Sequence, residues 1–129
     1  MVGIVIVSHS AKVAEGVVEL CLQMAAENTH ILAAGGMEDG GIGTDAFRIQ
    51  SAIEEADTGD GVAVLADMGS GIMSAEVAIE MLDDDIKVRI ADAPILEGAM
   101  GAAVASVTGA DLDGVIEAAE EANGVSKLS

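Results

Sequence analysis

The sequence predicts an α/β protein whose parallel sheet is covered by helices on both faces. Two observations carry this. Short apolar, β-branched runs alternate with stretches in which apolar residues recur every three or four positions, and glycine-containing turns separate them. Strict alternation of strand and helix requires right-handed crossovers, and these place the strands parallel with helices on either side.

The first run, residues 2–7, reads V-G-I-V-I-V and is apolar at every position but Gly3, as suits a strand buried on both faces. Val13, Val17, Leu20 and Met24 then recur at helical spacing and predict a first helix with those residues inward. Residues 30–34 predict a second strand ending at Gly35 and Gly36. A loop over 35–44 holds five glycines, and a helix to about Ala56 follows with Ile49 and Ile53 inward. Residues 61–66 predict the third strand, 67–71 a turn, and Ile72, Ala75, Ile79 and Leu82 the buried stripe of a third helix. Residues 86–91 predict a fourth strand. Pro94 suits the first turn of a fourth helix, which Gly109 ends, and an acidic last helix runs over about 111–122.

With 129 residues and a single phenylalanine as the only aromatic residue, the chain reads as one domain over 1–129, its core filled by aliphatic and small side chains. Asp and Glu number 23 against 5 Lys and Arg, a formal net charge of −18. Such a surface repels nucleic-acid backbones and anionic lipid, so neither is an expected partner. With 51% apolar residues the charge sits on a folded surface and not on a disordered chain. Self-repulsion of this strength weakens as the Debye length falls to about 3 Å in molar salt, which points to a salt-loving source. Cys21 stands alone, so no disulfide framework is expected. The N-terminal apolar run is too short and wrongly flanked for a signal peptide, and no stretch has the length of a membrane span, so the expected compartment is the cytoplasm.

In parallel sheets chemistry collects beyond the carboxyl ends of the strands. His9 lies there, between Ser8 and Ser10 and just ahead of a predicted helix N-terminus, where backbone N–H groups and the helix dipole favour a phosphate-sized negative charge. Asp67 occupies the corresponding place after the third strand. A carboxylate bonded to one imidazole nitrogen fixes the tautomer and leaves the other nitrogen free to attack phosphorus. Ser8 and Ser10 add hydroxyl donors, and Gly43, Thr44, Gly69, Ser70 and Gly71 complete the loops at this end, all as candidate support for the phosphoryl group. Each has a plain structural alternative: Asp67 as a helix cap, the glycines as ordinary turns. Cys21 reads as a core residue and His30 as structural. No P-loop and no G-x-G-x-x-G after the first strand is present, so no nucleotide cofactor is expected, and no residue spacing suggests a metal site.

The segments I-V-I-V-S-H-S at the start, I-G-T-D at 42–45, D-M-G-S-G at 67–71, S-A-E at 74–76 and A-P-I-L-E-G at 93–98 jointly resemble one family. It is the mannose-type IIA family of the phosphotransferase system, and within it the DhaM subunits of dihydroxyacetone kinases. The resemblance runs from Met1 to about Ala122. It implies a doubly wound sheet of four parallel strands in order 2-1-3-4, commonly in a homodimer. It also implies that His9 is the phosphorylated residue and Asp67 the one that orients it. The implied phosphoryl route runs from phosphoenolpyruvate through enzyme I and HPr to His9. From there it passes to ADP held by DhaL, whose ATP serves dihydroxyacetone bound to DhaK. Ala99 stands where the family more often has threonine.

Two other functions fit parts of the pattern. A IIA component of a mannose-type sugar permease shares the fold and the histidine, but D-M-G-S-G and A-P-I-L-E-G favour the kinase subunit. A receiver-like or flavodoxin-like binding module lacks support, because Ser8 and His9 stand where a receiver has its acidic pair.

Overall fold

A computed structural model describes residues 1–128. Four strands, β1 (Gly3–Ser8), β2 (Ile31–Gly35), β3 (Val62–Ala66) and β4 (Val88–Ile90), form one parallel sheet in the order β2-β1-β3-β4. Five α-helices connect and cover them: α1 (Ala11–Met24), α2 (Ala46–Ala56), α3 (Gly69–Glu80), α4 (Ile95–Val107) and α5 (Leu112–Glu120). The strand order is the one the family resemblance implies.

Period-two alternation along β1 divides the core. Ile4 and Ile6 point to one side, where they meet Ala14, Val17 and Cys21 of α1, Ala99, Ala102 and Ala103 of α4, and Val115 and Ile116 of α5. Val5 and Val7 point to the other, against Ile49, Ala52 and Ile53 of α2 and Ala75 and Ala78 of α3. Both faces of β1 are fully buried, which is why its sequence shows no polar alternation.

Alanine and glycine let the layers approach closely. A Cβ on Gly35 would stand 2.7 Å from the Ser10 carbonyl oxygen and 2.8 Å from the Ala14 Cβ, so α1 rests almost directly on the end of β2. This approach corrects the expected inward face of α1. Val13, Leu20 and Met24 are 47%, 47% and 56% exposed, and Ala14, Val17 and Cys21 are the buried stripe. Two apolar stripes share Val17, and the tight seat against Gly35 selects the one with the smaller side chains.

Other boundaries shift by a few residues. The helix of α3 begins at Gly69, so the residues expected as a turn form its first turn, and Gly71, Ala75 and Ala78 are its buried positions. The flanking Ile72, Ile79 and Leu82 pack against the core while only partly buried. β4 keeps three residues of the expected run and lies at one edge of the sheet, with β3 as its one neighbour. The last helix gives way after Glu120 to a 3-10 turn over Glu121–Gly124.

Candidate functional site

The pairing of β1 with β3 sets Val7 beside Ala66, so the two chains leave the sheet side by side. One further ladder bond, from the Asp67 N–H to the Val7 carbonyl at 3.1 Å, carries the alignment just past the strand ends. Asp67 thereby comes to lie under His9. Its Oδ1 faces the His9 Nδ1 at 3.0 Å, and its Oδ2 accepts from the His9 backbone N–H at 3.0 Å and from the Ser8 hydroxyl at 2.9 Å. Burial pushes the Asp67 carboxyl up, but these hydrogen bonds outweigh it and hold it below the usual carboxylate range. An ionised carboxylate can only accept, so the imidazole proton sits on Nδ1 and Nε2 carries the lone pair.

Nε2 faces the open end of the sheet. The Ser70 hydroxyl, in the first turn of α3, lies 2.6 Å from it and donates to it. His9 and Asp67 side chains are only 19% and 16% exposed, so the imidazole is held at the rim with its reactive nitrogen outward. Gly71 keeps the pair clear: a Cβ there would stand 3.2 Å from Asp67 Oδ1 and 3.7 Å from His9 Cε1.

The serines beside His9 are placed otherwise than as free hydroxyl donors. Ser8 is 1% exposed and belongs to β1; its hydroxyl donates to Asp67 and accepts from the Ser10 N–H at 3.1 Å. Ser10 is the N-cap of α1, its Oγ accepting from the Val13 N–H. Gly43 anchors the long loop to the site through its N–H, which donates to the His9 carbonyl at 2.8 Å. Its φ of +144° suits glycine, and the Met37 sulfur lies 2.8 Å from where a Cβ would be. Thr44 points elsewhere and shares a 2.6 Å hydrogen bond with Ser74 of α3. Gly69 opens α3, with nothing within 4 Å of where a Cβ would stand.

Ser74 was not among the expected site residues; its signal was the S-A-E segment at 74–76. His30 lies at the opposite end of the sheet, before β2, with Nδ1 near Thr29 Oγ1 and its N–H donating to Asn28 Oδ1. Cys21 is fully buried. Among the described residues no three His, Cys, Asp or Glu side chains converge as a metal site, and no helix is long and apolar enough to cross a membrane.

The EIIA-man family model, described as the PTS system fructose IIA component, matches residues 3–116. The chain is also 39% identical over 119 residues to the phosphoryl donor subunit DhaM of a PEP-dependent dihydroxyacetone kinase from Listeria innocua, covering 91% of this chain and 95% of that one. The chain belongs to the DhaM group of the EIIA-man family. A DhaM of Escherichia coli is 46% identical over 121 residues, 90% of this chain but 26% of its own length, so the chain spans about a quarter of that relative. Among solved structures, EF1359, a protein of unknown function, superposes with a TM-score of 0.82 at 31% identity, covering 98% of each chain. A phosphotransferase system EIIA component from Streptococcus agalactiae superposes with a TM-score of 0.72 over 99% of this chain and 98% of its own; at 16% identity it speaks for the fold alone.

Proposed function

We propose that this chain is a phosphohistidine carrier that accepts a phosphoryl group on His9 Nε2 and hands it to a nucleotide acceptor. The observation that carries the reading is the pair of hydrogen bonds that Asp67 accepts from His9, one from the ring Nδ1 and one from the backbone N–H, at 3.0 Å each. They fix the ring, hold the proton on Nδ1 and leave Nε2 at the open end of the sheet.

Attack by Nε2 on a donor phosphohistidine places positive charge on the imidazole, and Asp67, anionic, stabilises it as it forms. No covalent bond to the carboxylate is needed, so catalysis is positioning and electrostatics. The N-termini of α1 and α3 and the Ser70 hydroxyl surround the incoming group with donors, once Ser70 turns from Nε2 to a phosphoryl oxygen. In this scheme the chain itself holds no nucleotide cofactor and no metal.

The donor is HPr, itself charged from phosphoenolpyruvate by enzyme I. The acceptor is ADP on a DhaL subunit, whose ATP phosphorylates dihydroxyacetone on DhaK. The chain is thus the phosphotransferase component of a phosphoenolpyruvate-glycerone phosphotransferase, a cytoplasmic homodimer in glycerol metabolism of a halophile. The description of relatives as phosphoryl donor subunits supports the direction of transfer.

The test is incubation with phosphoenolpyruvate, enzyme I and HPr, followed by intact mass. One phosphoryl group is expected, lost in acid and kept in alkali, absent in His9→Ala and present in His30→Ala. An acid-stable adduct, or one that survives His9→Ala, overturns the carrier reading. ATP formation with ADP-loaded DhaL tests the acceptor separately.

A further inference from the structure

His9 is linked on both sides. Asp67 Oδ1 lies 3.0 Å from Nδ1 and Ser70 Oγ lies 2.6 Å from Nε2, so carboxylate, imidazole and hydroxyl form one continuous chain of hydrogen bonds. A phosphohistidine carrier needs only the first bond. The second is the geometry in which a neutral imidazole removes the proton of a serine nucleophile.

We propose that Ser70, His9 and Asp67 also act as a serine-nucleophile triad, making Ser70 reactive toward small activated esters and organophosphonates. Three further features fit this chemistry. Ser70 is exposed, so a small reagent reaches its hydroxyl. It stands in the first turn of α3, where the first donors back to the Met68 carbonyl are the N–H groups of Gly71 and Ile72. The Gly69 and Ser70 N–H groups precede these and point out of the helix start, where they can hold a developing oxyanion. Gly71, lacking a Cβ, keeps the space between α3 and the imidazole open.

With an ester, the Ser70 proton passes to Nε2 as the Oγ–C bond forms. The leaving alkoxide takes that proton as its bond to carbon breaks, and water, with His9 again as base, releases the acid. With a fluorophosphonate, an Oγ–P bond forms, fluoride leaves with the P–F electron pair, and the proton goes through Nε2 to solvent; the adduct stays on Ser70. Nε2 cannot serve as base while it carries a phosphoryl group, so the two reactivities exclude each other.

The full chain is treated with a fluorophosphonate probe and mapped by peptide mass. The expected result is one adduct, on Ser70, forming about 100-fold more slowly in Asp67→Asn and absent from Ser70→Ala, while Ser51→Ala is labelled like wild type. Chain first phosphorylated by phospho-HPr resists the probe until the phosphoryl group is removed by acid and the chain refolded. An adduct on His9 or on another serine, or labelling no faster than in urea-unfolded chain, overturns the triad. Labelling of the unphosphorylated chain does not require His9 to accept a phosphoryl group, so failure of the carrier reading and failure of the triad are read separately.

Discussion

Asp67 holds His9 at two points, Oδ1 at 3.0 Å from the ring Nδ1 and Oδ2 at 3.0 Å from the backbone N–H, so one carboxylate fixes both the orientation of the imidazole and the turn that carries it. An amide of the same shape cannot reproduce this. An asparagine side chain in its place offers one acceptor and one donor group, so it either loses the backbone bond or presents an N–H to Nδ1 and moves the proton to Nε2. Asp67→Asn is expected to slow phosphoryl transfer from phospho-HPr by roughly two to four orders of magnitude with the circular dichroism spectrum unchanged. Single-turnover transfer followed by intact mass checks it, and a wild-type rate removes Asp67 from the mechanism.

The same carboxyl makes a contribution to stability that depends on pH. Its folded pKa lies below the unfolded value of about 3.9. The stabilisation is therefore fully present above that value and fades as pH falls through the lower folded one. Urea midpoints measured from pH 7 down to pH 3 are expected to fall less steeply at the acid end in Asp67→Asn than in wild type. Parallel curves would show that Asp67 has the same proton affinity folded and unfolded.

Much of the fold was legible because β1, β2 and β3 are short runs free of charged residues, and β1 with both faces buried leaves no other reading. The inward face of α1 was not, since Val13 and Ala14 are neighbours and only the approach to Gly35 decides between them. His9 and Asp67 could be picked out as residues just past strand ends. Ser8 as the support of Asp67 could not, because that role appears only when β1 and β3 pair with Val7 beside Ala66. The Thr44 to Ser74 bond likewise joins residues 30 positions apart that no spacing connects.

Gly35→Ala tests the seat of α1. The new Cβ would lie 2.7 Å from backbone at Ser10, which cannot move without displacing the start of the helix and the Ser8 to Ser10 turn. A loss of about 1–3 kcal/mol in unfolding free energy is expected, together with slower transfer at His9. Gly16, with nothing within 4 Å of a Cβ, is the control: Gly16→Ala in the middle of α1 is expected to gain up to about 1 kcal/mol. Equal effects at the two positions would contradict the packing described.

Cys21 is buried among the α1 and sheet side chains, and burial pushes its thiol up to about 11. Only the thiolate reacts, so at pH 8 the native chain is expected to resist a maleimide that modifies the urea-unfolded chain within minutes. Rapid native labelling would mean that α1 opens from the sheet on the same timescale.

With 23 acidic side chains and 5 Lys and Arg, at most five carboxylates can be neutralised by side-chain cations, and Arg89 with Asp113 and Lys127 with Glu97 are two such pairs. The rest repel one another. Screening shortens that repulsion from about 10 Å at 0.1 M salt to about 3 Å at 1 M. The exposed pairs that salt also weakens are worth little each, so the balance favours stabilisation, and Tm is expected to rise from 0.1 to 1 M KCl by an amount readable in a thermal scan. Glu76 and Glu80 sharpen the test, since both are exposed and stand four apart on α3, where like charges destabilise a helix by about 0.2–0.5 kcal/mol. Replacing both by glutamine is expected to raise Tm at low salt and to reduce its further gain in KCl. A Tm that is flat or falls with salt in wild type would refute electrostatic self-repulsion as the force that salt relieves, and with it the halophilic reading of the charge.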